Sequence, residues 1–227
     1  MREARPLPLP MRLGPSPDRR VPASALDLTA PAERPGLPAE GAERAGLWTL
    51  LLTEQGPAAE AAGAAALAAA ERGVYAGLEP GPIRRRFAVV RGGLRLLVSA
   101  RLGCPPDRIA VLDGACPLCA RPHDSVAAAS GAAPVHFSWD RCGDLVVYAL
   151  SATTVGAGVS PLAGRGDPDA AAAARRTARL TAGDRAVMRG GCTGPGIIAD
   201  RSVDMVAVPH GYAAAVVRHT GAAGQPS

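Results

Sequence analysis

The chain has 227 residues and a net charge of +5, with 48% apolar but only 3% aromatic residues. Its length allows one sizeable core or two small ones packed together, built mainly from Leu, Val and Ala. All 25 basic residues are arginine, because no lysine occurs, so a lysine amine is excluded from any site and the arginines do no proton transfer near neutral pH.

Residues 1–45 are rich in Pro, Ala, Arg and Glu; Pro6, Pro8, Pro10, Pro15 and Pro17 deny the stretch a helix, and a disordered tail is expected. Leu47 to Leu52 has the length and apolarity of a buried strand. An alanine-rich helix is expected from Ala58 to Arg72. A second runs from Ile83 to Leu102, where Phe87, Val90, Leu94, Leu97 and Val98 recur at helical spacing and Gly103 with Pro105-Pro106 stops the pattern. Ile109 to Leu112 reads as a short strand, and residues 114–134 as a loop holding Cys116 and Cys119. Val135 to Ser138, Asp144 to Ser151 and Thr154 to Val159 read as strands. Asp169 to Leu180 is an Ala/Arg-rich helix with an acid near its start, where the helix dipole favours one. Val203 to Val208 and Tyr212 to Arg218 form a closing hairpin around Pro209-His210-Gly211. Residues 221–227 resemble the first tail.

The charge favours acidic or phosphate-bearing partners. Arginines not interleaved with aromatics, and no nucleic-acid motif, argue against nucleic acid. No run approaches the roughly 20 apolar residues of a membrane span, and the N-terminus lacks the apolar core of a signal peptide. Five cysteines at irregular spacings suit reduced thiols better than a disulfide framework. A cytoplasmic monomer is the expectation.

Four passages in order, between about residues 46 and 218, resemble the 4′-phosphopantetheinyl transferases that serve polyketide and peptide synthases, in particular actinobacterial members. They are the arginine-rich helix with Arg86, Phe87, Arg91 and Arg95; the loop Cys116-Pro-Leu-Cys-Ala-Arg-Pro-His-Asp124; the strand from Val135 through His136-Phe137-Ser138 to Ser151; and the hairpin from Val203 to Val217. The resemblance implies an α/β (α+β) fold of two similar halves, 46–140 and 141–220. It also implies a reaction that moves phosphopantetheine from coenzyme A to a serine of an acyl or peptidyl carrier protein, with Mg²⁺ on carboxylates.

The family's metal motifs are altered here. Its Gly-x-Asp-x-Glu strand reads Gly156-Ala157-Gly158-Val159-Ser160, so neither carboxylate position keeps an acid. Asp184 is the one remaining candidate where a later helix would supply a glutamate. The family's Ser-His-Ser turn becomes Asp140-Arg141-Cys142. The resemblance leaves Arg86, Arg91, His136 and Arg141 as candidate coenzyme A contacts, because guanidinium binds phosphate well. Loss of two of three carboxylates argues against ordinary transfer. A repurposed enzyme is expected, cyclising or rearranging a carrier-tethered or released intermediate in antibiotic-type biosynthesis. Asp140 or Asp184 would serve as acid or base, Arg141 as clamp, Trp139 as pocket wall and Cys142 as a possible nucleophile with His136. The alternatives are a weak genuine transferase and a non-catalytic binder of carrier protein or coenzyme A. Cys116, Cys119 and His123, with Cys142, form part of a zinc pattern, though idle thiols are the plainer reading.

Overall fold

The structure is a computed structural model that describes residues 20–29, 46–111, 114–115, 122–123, 126–128, 135–153, 155–162, 172–178 and 201–219. Helices and mostly antiparallel sheets are both present, which gives a mixed α+β fold. Strands β1 (Arg20–Val21), β2 (Ser24–Ala25) and β3 (Gly46–Leu51) come first. Three helices follow: α1 (Pro57–Ala65), α2 (Ala69–Gly77) and α3 (Pro82–Leu102). Then come β4 (Ala110–Val111), β5 (Gly114–Ala115), β6 (Pro122–His123), β7 (Val126–Ala128), β8 (Val135–Cys142), β9 (Leu145–Ser151) and β10 (Val155–Pro161). A helical segment at residues 172–178 precedes β11 (Arg201–Val206) and β12 (Tyr212–His219).

The larger sheet has strand order β2-β3-β9-β8-β7-β4 and the smaller β1-β11-β12-β10, with β5 and β6 paired by themselves. Each large sheet buries both faces. Trp48, Leu50, Phe137, Val146, Tyr148 and Leu150 pack against α1 and α3. Leu145, Val147 and Ala149 of β9 meet Val155, Ala157 and Val159 of β10 and Ala214 and Val216 of β12 between the sheets. Ala213, Ala215 and Val217 face Ala174 and Ala178 of the 172–178 segment on the far side. The unbroken apolar run from Ala213 to Val217 along β12 is what a strand covered on both faces requires.

Several expectations are revised. Residues 20–29, expected in a disordered tail, carry β1 and β2, which add parallel to β11 and β3 respectively. Two-residue strands leave no periodicity to read; Leu28 is buried and Leu26 half-buried against the α1/α3 core. The single helix expected over 58–72 is two helices. The chain turns at residues 66–68 so that Ala66 and Leu67 are buried, and the Arg72 guanidinium donates to the Leu67 carbonyl at 2.8 Å. Strand β8 continues four residues past Ser138, so Asp140, Arg141 and Cys142 lie in a strand rather than a turn. The turn is Gly143-Asp144, with Gly143 at φ 55, a left-handed conformation suited to glycine. The division expected between residues 140 and 141 therefore falls inside β8, and the larger sheet runs to Ser151.

Tyr148 anchors the larger sheet to α3. Its hydroxyl donates to the Val90 carbonyl at 3.0 Å in a fully buried setting, and burial holds the phenol far above its usual pKa. Tyr148→Phe is expected to lower stability by about 1 kcal/mol, read from the urea midpoint at constant m-value.

Candidate functional site

Alternation along β8 places His136, Ser138, Asp140 and Cys142 on one face and Phe137, Trp139 and Arg141 on the other. Phe137 is in the helix-facing core, whereas Cys142 packs at the core between the sheets. The first face meets β10, the end strand of its sheet. The Ala157 N–H donates to Ser138 Oγ at 2.9 Å and the Val159 N–H to Asp140 Oδ2 at 2.8 Å. Both donors advance by two residues as their acceptors do, so β10 runs beside β8 with side chains standing in for a neighbouring strand's carbonyls.

Continuing the same step pairs His136 with Val155 at one end and Cys142 with Pro161 at the other. Proline has no N–H to give. His136 Nδ1 is buried without a hydrogen-bond partner among the described residues, and burial lowers its pKa. The Cys142 thiol is pushed up, first by burial and then by Asp140, with Arg141 opposing. It is therefore a protonated thiol near neutrality, a poor resting nucleophile. His136 and Cys142, expected across a turn, lie on one strand face with Ser138 and Asp140 between them. Arg141 is exposed and donates to the Gly143 carbonyl of its own turn at 3.0 Å.

Asp140 is thus a structural acceptor. Asp140→Ala is expected to lose about 2 kcal/mol, because a buried N–H loses its charged partner. Arg141→Ala should stay within about 0.5 kcal/mol of wild type. Chemical denaturation of both variants tests the contrast.

The depressed His136 gives a pH dependence. An unfolded histidine takes a proton near pH 6.5, whereas the folded one resists it, so stability falls as pH drops below that value and levels off only below the folded pKa. The urea midpoint should decline from pH 7.5 to 5.5, and His136→Gln should reduce that decline. An equal decline in the variant would assign it elsewhere.

Arg86 lines a half-open cleft of about 160 Å³ with Leu52, Thr53, Gln55, Pro82, Arg85, Val89 and Asp144. The cleft lies between the first turn of α3, the chain after β3 and the β8–β9 turn. The Leu52 N–H donates to the Asp144 carbonyl at 2.8 Å, which fixes the turn against the wall. Arg85 is held 3.3 Å from Glu60, while Arg86 is exposed. Arg91, the other candidate on this helix, is instead paired with Glu71 at 3.3 Å. The cleft therefore gathers Arg86 and part of Arg85, but neither Arg91 nor His136.

Gly158 and Ser160 pair with Ala215 and Ala213 and share their sheet face, towards the 172–178 segment. A metal there would find a hydrogen and a hydroxyl where the resemblance places carboxylates. Among the described residues no three His, Cys, Asp or Glu side chains gather as a metal site. These residues do not fit Mg²⁺. Asp184, Cys116 and Cys119 lie outside the described residues, as does the side chain of His123.

The chain matches no protein-family model and no curated protein sequence.

Sequence reasoning missed Ser138, Glu71, Arg95 and Asp144. Glu71 bonds the Ala68 N–H at 3.1 Å and pairs with both Arg91 and Arg95. Arg95 is only 6% exposed and donates also to the carbonyls of Pro106 at 2.8 Å and Ile109 at 3.3 Å. One signal was available: Arg91 and Arg95 stand four apart on one helix face beside apolar neighbours, a place where arginine needs a carboxylate.

Proposed function

We propose that this is a phosphopantetheinyl-transferase-like protein of polyketide or peptide biosynthesis. On this reading it keeps recognition of a phosphopantetheine-bearing partner, a carrier protein or coenzyme A, but has given up metal-dependent transfer. The observation that carries the reading is a shared strand order. In β3-β9-β8 and in β10-β12-β11 the first strand pairs with the last of a hairpin, and helix lies between first strand and hairpin in both. The shared order supports two similar halves. The Gly158 and Ser160 positions support loss of the metal, and the arginine-lined cleft supports binding of a phosphate group. Its size suits one phosphate and a short adjoining stretch rather than a whole nucleotide.

Calorimetry with coenzyme A, with and without Mg²⁺, tests the reading. Binding that is independent of Mg²⁺ and weakened about tenfold by Arg86→Glu is expected, as for loss of a charge-assisted contact. Incubation of apo carrier protein with coenzyme A should give no added phosphopantetheine mass. A brisk mass gain would restore the transferase, and no binding of either partner would remove the family reading.

The second reading is catalysis of another kind, such as cyclisation of a carrier-bound or released intermediate. The exposed end of β8, where Arg141 and Cys142 border the Gly143 turn, favours it. Because the Asp140 carboxylate holds the Val159 N–H, the acid–base role passes to Asp184, with Arg141 as clamp. Unchanged turnover of a carrier-bound substrate in Arg141→Ala and Asp184→Asn would end this reading.

A further inference from the structure

Residues 20–29 join the two large sheets. Strand β1 lies parallel along the edge of β11, and β2 parallel along the edge of β3. The Ala207 N–H donates to the Val21 carbonyl at 2.9 Å, and the Leu26 N–H to the Thr49 carbonyl at 2.8 Å. At the other end of the smaller sheet, β10 is tied to β8 by its bonds to Ser138 and Asp140. The stacked sheets are therefore joined along one side by β10 and along the other by this one segment. Its inward positions change core part-way. Val21 and Ala23 pack against the core between the sheets, whereas Leu26 and Leu28 pack against the α1/α3 core. The inward positions step by two, then by three, then by two again. The extra residue at Ser24-Ala25 turns the inward side over, as a one-residue slip does in any strand. A Cβ on Gly93 would lie 3.4 Å from Leu26 Cδ2 and 3.5 Å from Leu28 Cδ2, so this bare turn of α3 is the seat for both leucines.

The segment is laid onto the sheets, not woven into them. The ladders β3-β9-β8 and β11-β12-β10 are complete without it. Leu28 is its one fully buried residue, and Arg20, Pro22, Ser24, Ala25, Asp27 and Thr29 are exposed. Few buried apolar groups and short ladders mark the parts of a fold that open before the rest. We propose that residues 20–29 are a detachable strap, and that the edges of β3 and β11 with the Gly93 seat form a groove for an extended peptide lying parallel to both strands. The strap is the resident occupant of that groove. When it lifts, main-chain groups of both edges and the apolar seat face outward, which is what recognition by strand addition uses. A fitting peptide carries apolar side chains at the spacing of Val21, Ala23, Leu26 and Leu28. The inference is independent of the function proposed above.

A protease site inserted between Gly36 and Leu37 of the full chain lets the strap be cut from the rest in the folded protein. The cut protein is expected to keep its far-ultraviolet circular dichroism. A labelled synthetic peptide of residues 18–30 should exchange into it, read by fluorescence anisotropy. The same peptide carrying Leu26→Asp and Leu28→Asp should bind at least about tenfold more weakly. The uncut chain should take up the wild-type peptide more weakly than the cut one, because its own strap competes at high effective concentration. Native-state hydrogen exchange on the uncut chain gives a second reading: the Leu26 and Ala207 amides should exchange together and faster than the amides of β9. If those two amides exchange only with the whole fold, or if cutting unfolds the chain, the segment is a fixed part of the framework and the detachable strap is overturned. A strap that leaves without uptake of the peptide overturns the groove, and equal binding of the Leu→Asp peptide overturns the seat.

Discussion

Glu71→Ala is expected to lower stability by about 3–5 kcal/mol, the range for removing one partner of a buried ion pair. Arg95 is the reason. Its guanidinium is almost wholly enclosed, and only carbonyls of Pro106 and Ile109 would remain to face it among the described contacts. The same substitution frees Arg91 and removes the acceptor of the Ala68 N–H at the start of α2. Glu71→Gln keeps a hydrogen-bond acceptor but not the charge and should fall between. The double variant Glu71→Leu with Arg95→Met separates the cost of an orphaned cation from the worth of the pair. If the double variant recovers most of the loss, the pair fixes the position of α2 more than it stabilises the fold. If Glu71→Ala melts within a degree or two of wild type, Arg95 is not enclosed as described. Far-ultraviolet circular dichroism and urea titration give the readings.

Gly92→Val is expected to cost at least about 3 kcal/mol, at the upper end for overpacking. Helices α1 and α3 touch backbone to backbone. A Cβ on Gly92 would lie 2.2 Å from the Gly63 carbonyl oxygen and 2.4 Å from the Gly63 Cα. A Cβ on Gly63 would lie 2.4 Å from the Ala88 carbonyl oxygen. Backbone cannot rotate aside as a side chain does, so the helices must separate, and the packing of Ala59, Val89 and Leu94 separates with them. Gly73→Ala, on an open helix face, should instead be neutral to stabilising through its better helix propensity. Opposite signs for two helical glycines, read from thermal melts, would locate the crossing. A tolerant Gly92→Val would show that α1 is not seated where it is described.

Long, periodic or continuous signals were legible in the sequence. Helix α3 followed from its apolar spacing and its glycine stop; β3, β9 and the closing hairpin followed from apolar runs between turn residues. What escaped had no local signature. The break between α1 and α2 lies within unbroken alanine, where propensity is uniform and only burial of Leu67 decides. The extension of β8 through Asp140-Arg141-Cys142 puts charged residues in a strand. That is stable because β10 presents the Val159 N–H to Asp140, a contact nineteen residues away in sequence. For the same reason nothing local in the sequence tied Asp140, a candidate acid or base there, to the Val159 N–H. Gly158 and Ser160 could be read directly, because absence of a carboxylate is a property of the residue and not of its surroundings.

The placement of Arg20–Val21 against Met205–Val206 has a consequence for biogenesis. Arg20 and Val21 leave the ribosome long before Met205 and Val206, their strand partners. Vectorial synthesis cannot finish this pairing while the chain is still being made, and such distant closure raises contact order and slows the final folding step. The outer edge of β11 stays unpaired until then. Nascent or truncated chains would be the ones that a chaperone, or another nascent chain, captures there.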